Sequence, residues 1–206
     1  MMASSGMKAP ASQNRPSTAD NSVRRVPGDE GIWVFILGDL TIFTAIFGAY
    51  LYSRGTHPVL FEQGQHTLDQ GHGVLNTLIL LLSSLFVAVG VLAIRRLSVG
   101  IAAWLFAGAI LCGLAFVAMK IIDYTSIINH DYAKLHEEFY TYFFALTGLH
   151  LMHVIIGMSG LIYMFCQALR PDRAPAKLKT IVGWACIWHM VDLLWIIIFP
   201  LLYLVK

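Results

Sequence analysis

Charge is what this chain has least of. Only 13% of its 206 residues are Asp, Glu, Lys or Arg, against 57% hydrophobic residues; soluble domains carry about a quarter charged residues. A water-soluble globule is thereby excluded, and a mean hydropathy of +0.68 points to a membrane protein. Cysteine is scarce too: Cys112, Cys166 and Cys186 stand alone within or at the edge of apolar runs, with no CxxC spacing. They read as small hydrophobes, not as a disulfide or zinc set. No basic patch is interleaved with aromatics, so nucleic acid is not an expected partner. Residues 1–26 lack an apolar h-region and are rich in Ser, Ala, Asn and Pro. A disordered tail is expected there rather than a cleaved signal peptide. No internal repeat is evident.

What the chain does have is five long apolar runs, at about 31–53, 73–94, 99–120, 139–168 and 181–205. Each is long enough to cross a hydrocarbon core of about 30 Å, which takes roughly 20 helical residues. The fourth exceeds that need and is expected to tilt or to extend beyond the membrane. The intervening segments carry the breakers: "RGTHP", "DQGHG", "RRLSVG", "NHDYAKLHEE" and "RPDRAPAK". Lipid offers no partner to an unpaired backbone, so the runs must be helices and the fold an all-α integral membrane bundle, with residues 27–206 as one domain.

The few charges are sided. With five spans, the N-terminal tail and the second and fourth loops share one face of the membrane. They hold Lys8, Arg15, Arg24, Arg25, Arg95, Arg96, Arg170, Arg173, Lys177 and Lys179, ten of the fourteen basic residues. Arg54, Lys134 and Lys206 lie opposite, among Glu62, Asp69, Asp131, Glu137 and Glu138. The bias predicts a cytoplasmic N-terminus and an external C-terminus.

An ionisable group inside a span costs a few kcal/mol on insertion scales, so each calls for a partner or a purpose. They are few: Asp39 about two turns into the first span, Lys120 and Asp123 at the outer end of the third, His150 and His153 in the fourth, and His189 with Asp192 in the fifth. His150/His153 and His189/Asp192 are each spaced i,i+3 and are expected to share a helix face. Lys120 and Asp123 have the spacing of an intrahelical ion pair. Gly38, Gly48, Gly108, Gly113, Gly148 and Gly157 are expected at close helix contacts. Ser83, Ser84 and Thr77 are expected to hydrogen-bond between helices, and the loop histidines His57, His66, His72, His130 and His136 to be solvated. Trp33, Trp104, Trp184 and Tyr203 have the positions of an interfacial belt. Trp188 and Trp195 lie deeper and are expected to pack. Four readings of the intramembrane set stay open on these residues alone: a His/Asp metal site, a haem between His150 or His153 and His189, a proton relay through Asp39, or polar groups satisfying one another and lipid head groups. The metal and proton readings belong to an independent membrane enzyme or transporter.

Five stretches, taken in order, give a resemblance. "FILGDLTIF", "VLNTLILLLSS", "KIIDYTS", "TGLHLMHVIIG" and "WHMVDLLWIIIF" resemble motifs of subunit III of the haem-copper oxidases, and the likeness covers nearly all of residues 30–205. Asp39 stands where that family has glutamate, and Lys120 where it has glutamine. The family's longer members have seven helices, and the first two have no counterpart here. The short chain, the Gly38–Asp39 pair and Lys120 look like the branch associated with nitric oxide reductase. The resemblance implies a non-catalytic five-helix subunit of a bacterial cytoplasmic (inner) membrane. Such a subunit binds no haem, copper or other metal itself; haem with copper or iron is expected in its partner, the catalytic subunit I of an oxidase or a nitric oxide reductase. It also implies structural phospholipid held between helices and a part for Asp39 in proton uptake.

Overall fold

The computed structural model describes residues 30–96, 99–130, 137–170 and 175–205; the tail 1–26 and loop residues such as Asp131, Lys134 and His136 lie outside them. Among the described residues there are six α-helices and no strand: α1 Glu30–Thr56, α2 Pro58–His66, α3 Gln70–Arg95, α4 Val99–Asn129, α5 Glu137–Ala168 and α6 Pro175–Phe199. Five of them, all but α2, are long and apolar enough to cross a membrane.

Two elements depart from expectation. The loop after the first span holds α2, a nine-residue helix that Pro58 opens at a position where its missing N–H costs nothing. Its Phe61 is fully buried, edge-on to Tyr50 of α1 and Phe139 of α5, 5.4 and 5.8 Å between ring centres. The third span does not stop near 120: α4 runs on to Asn129. Its extra turns pack, since Tyr124 meets Phe144 at 5.2 Å and donates a hydrogen bond to Thr147 at 2.8 Å. Lys120 and Asp123 are therefore interior to their helix, not at its end. Beyond α6, Pro200 cannot donate, and the chain continues as a wider π turn, Pro200–Leu204, closed by Val205 N–H to Pro200 C=O at 2.9 Å.

α3, α4, α5 and α6 form an up-and-down bundle in chain order, each antiparallel to the next, with α6 returning to α3. Asp69 caps the start of α3, accepting from Gly71 N–H at 2.8 Å. α1 lies outside this ring against α5 and α6: 17% of its most apolar stretch is buried, against 56% for α6. Much of the outer surface is apolar, with Leu78, Leu85, Trp104 and Ile155 among the exposed side chains. Such a surface suits lipid, where the backbone is already satisfied within each helix.

Without a hydrophobic force between helices in lipid, close packing has to come from shape. Glycines make room for rings: a Cβ on Gly157 would stand 2.7 Å from Trp188, one on Gly73 2.5 Å from Phe199, and one on Gly160 would collide with Trp184. Gly108 and Gly113 receive Phe86 and Met158 in the same way. Gly38, Gly48 and Gly148 do not follow the expectation, since nothing lies within 4 Å of the position a Cβ would take. Gly157→Val should therefore lower stability by about 1–3 kcal/mol through overpacking against Trp188. Gly48→Ala should stay within about 0.5 kcal/mol. Thermal unfolding of the purified protein in lipid nanodiscs reads both, and equal effects would refute the packing assignment.

Candidate functional site

The intramembrane polar residues do come inward, but not as the sequence grouped them. Asp39 is 6% exposed, and its Oδ1 stands 2.9 Å from His153 Nε2. His153 Nδ1 faces the Leu149 carbonyl at 2.8 Å, one turn back on its own helix. Phe43 meets the same imidazole edge-on at 5.7 Å. α1 is thus joined to α5 by an ion-pair geometry deep in the bundle, since residue 153 is close to the midpoint of α5. Asp39 Oδ2 has no partner among the described residues.

His150 turns elsewhere. Residues i and i+3 differ by about 60° around a helix of 3.6 residues per turn, and that angle separates the two histidines. His150 is fully buried between Phe116 of α4 and Trp195 of α6, at 5.7 and 5.2 Å. Its ring neighbours belong to α4 and α6 while His153 faces α1, and the expectation of one shared histidine face is corrected accordingly.

A second cluster occupies the end of the bundle that carries α2. Lys120, 1% exposed, donates to Asp123 Oδ2 at 2.9 Å, which bears out the i,i+3 pair. Asp123 Oδ1 in turn meets His72 Nδ1 of α3 at 3.1 Å, and His72 Nε2 lies 3.8 Å from Asp69. The Lys120 ammonium also sits 4.7 Å above the Trp195 ring and 3.4 Å from the Tyr203 hydroxyl, so a buried cation has a counter-charge, an acceptor and a π face. Two expectations change here. His72 is half-exposed but also partnered by Asp123, and Tyr203 is buried against Lys120 instead of lying in an interfacial belt. At the same end His57 approaches Glu138 at 3.2 Å, and Ser53 donates to that carboxylate.

Between α3 and α6, Ser84 Oγ and His189 Nδ1 are 2.6 Å apart, and the same hydroxyl lies against Asp192, so this i,i+3 pair does share a face. Ser83 donates to the Ala109 carbonyl at 3.1 Å, and Thr77 accepts from Trp195 Nε1 at 3.1 Å. All three hydroxyls join helices, as their positions predicted. Histidines 150, 153 and 189 point into three different interfaces. Among the described residues no group of three His, Cys, Asp or Glu is placed to hold a metal ion.

Asn76, like Ser53, Gln65 and Thr147, is a buried polar residue that sequence reasoning does not single out, although an amide inside "VLNTLILLL" is signal enough. It is fully buried, and neither amide atom has a partner among the described residues.

Five apolar spans around buried ion pairs define a multi-pass helical membrane protein. The comparison with known proteins specifies it. A family profile described as cytochrome c oxidase subunit III matches residues 25–206, and the chain belongs to that family, subunit III of the haem-copper oxidases. Cytochrome c oxidase subunit 3 of Thermostichus vulcanus is 32% identical over 176 residues, covering 84% of this chain and 85% of the relative. Cytochrome bo(3) ubiquinol oxidase subunit 3 of Pseudomonas putida is 28% identical over 182 residues, 84% of each chain. A haem-copper oxidase subunit I+III of Aeropyrum pernix is 24% identical over 181 residues, which are 84% of this chain and 22% of that longer one.

The Lys120–Asp123 pair gives a direct test of the buried cluster. Asp123→Asn leaves an ammonium buried without its counter-charge and should destabilise the protein by up to about 3–5 kcal/mol. Adding Lys120→Met should recover part of that loss, with a coupling of about 0.5–3 kcal/mol in a double-mutant cycle. Additive effects on the unfolding midpoint would mean the two side chains do not act as a pair.

Proposed function

We propose that this chain is the non-catalytic third subunit of a respiratory haem-copper oxidase in a bacterial inner membrane, packed against the catalytic subunit I. The observation that carries the reading is family membership over nearly the whole chain, supported by a relative whose name joins subunits I and III in one polypeptide. Haem and copper are then the catalytic subunit's, and this chain contributes a scaffold with polar groups set inside it. The sided charges support a cytoplasmic N-terminus, with α2 and Asp69 on the outer face. Phospholipid is the natural neighbour of the lightly covered α1, whose outer face carries Gly38 and Gly48.

The proposed part of Asp39 is support of proton uptake. Its geometry fits: a carboxylate within hydrogen-bonding distance of an imidazole, with one oxygen unpartnered among the described residues, can gain and lose a proton without losing its partner. Two experiments test the proposal. Affinity purification from native membranes should bring down a haem-bearing catalytic subunit, read by mass spectrometry and the haem absorption spectrum. Recovery of a nitric oxide reductase would move the chain to that partner, and recovery of no haem protein would defeat both assignments. Asp39→Asn should lower turnover or shorten the active lifetime of the assembly while its subunits stay together. Dissociation of the subunits would make the Asp39–His153 pair purely structural.

A further inference from the structure

A polar atom buried inside a membrane bundle has no bulk water to turn to, and leaving it unpaired costs about 1–3 kcal/mol. Among the described residues, Asn76 and His150 carry this cost at two side-chain atoms each. Both are 0% exposed, and both amide atoms of Asn76 and both ring nitrogens of His150 lack a partner.

They lie in one layer. Asn76 precedes Thr77, which accepts the Trp195 N–H, and the Trp195 ring stands 5.2 Å from His150. Along α3 and α4, His72 pairs with Asp123 and Ser83 with Ala109. That register sets Asn76 level with the turn of α4 bearing Phe116 and Lys120. Phe116 is itself 5.7 Å from His150 and 5.0 Å from Trp195. α3 and α5 are opposite members of the four-helix ring, so Asn76 and His150 enter the layer from opposite sides.

We propose that this layer holds ordered internal water, hydrogen-bonded to Asn76 and to His150. The chemistry selects water. An amide and a neutral imidazole each offer a donor and an acceptor, the set that a molecule making two to four hydrogen bonds satisfies. A cation is disfavoured by the Lys120 ammonium at the edge of the same layer, and an anion by the pairing of that ammonium with Asp123. The polar series Lys120–Asp123–His72–Asp69 leads from the layer toward the α2 end, where His72 and Asp69 are 42% and 63% exposed. The Asp39–His153 pair lies at a different interface of α5 and is not part of the site. The inference concerns only the core of this chain and holds whichever catalytic partner the chain has.

The test is a cryo-electron-microscopy map of the native assembly containing this chain, at a resolution that shows ordered water. The expected result is density within hydrogen-bonding distance of an Asn76 amide atom and of a His150 ring nitrogen. Asn76→Leu combined with His150→Phe should abolish it. A wild-type layer occupied by protein atoms alone, or density that survives the double substitution unchanged, overturns the proposal. The wild-type map decides by itself if the variant fails to assemble.

Discussion

In a spanning bundle each helix satisfies its own backbone, so the backbone says nothing about which helix lies beside which. Polar side chains can say it, and four of the helix interfaces here have such a statement. Asp39 with His153 sets α1 on α5; His72 with Asp123 sets α3 on α4; Tyr124 with Thr147 sets α4 on α5; Ser84 with His189 sets α6 on α3. Each pairing is directional, so a helix that slid or rotated by one residue would strand a buried polar group. Of the three intramembrane histidines, His153 and His189 have polar partners on other helices, while neither ring nitrogen of His150 has one among the described residues.

Shape completes what polarity begins. Dispersion is weak per contact and strong in sum, and it needs surfaces that meet. Trp188 enters the space left by Gly157 and Gly113, Trp184 lies over Gly160, and Phe106 over Gly90. The tryptophans at 184 and 188 therefore act as keys between α5 and α6. Because a ring fits only one glycine notch at a given height, this packing reinforces the register that the hydrogen bonds specify.

The number and kind of spans could be read from the sequence because hydropathy is a property of single residues and lipid responds to it directly. The direction of a side chain is a property of neighbours. His150 and His153 have the same spacing as His189 and Asp192, yet only the second pair converges on one partner, Ser84. Nothing local distinguishes the cases; what differs is that α5 touches α1 on one side and α4 and α6 on the other. The short helix α2 is not legible in the sequence because it is anchored by Phe61 inserted among Tyr50, Phe139 and Tyr142, residues far apart in the chain. The length of α4 is not legible for a related reason: the Lys120 charge reads as a membrane boundary until Asp123, Tyr203 and Trp195 are placed around it. Glycines at 38, 48 and 148 look like those at 108, 113 and 157 in sequence, and only the presence of a facing ring separates them.

The Asp39–His153 pair has a history as well as a geometry. Of the ion pairs in the described residues it joins the most distant positions: Asp39 is in the first span, and its partner follows 114 residues later. At a synthesis rate of about 5–20 residues per second, that separation lasts on the order of ten seconds. Through that interval a carboxyl group resides in the first helix with its future imidazole not yet made. The helix that begins the bundle is thus the one whose seat is decided late, after α5 has arrived to receive it.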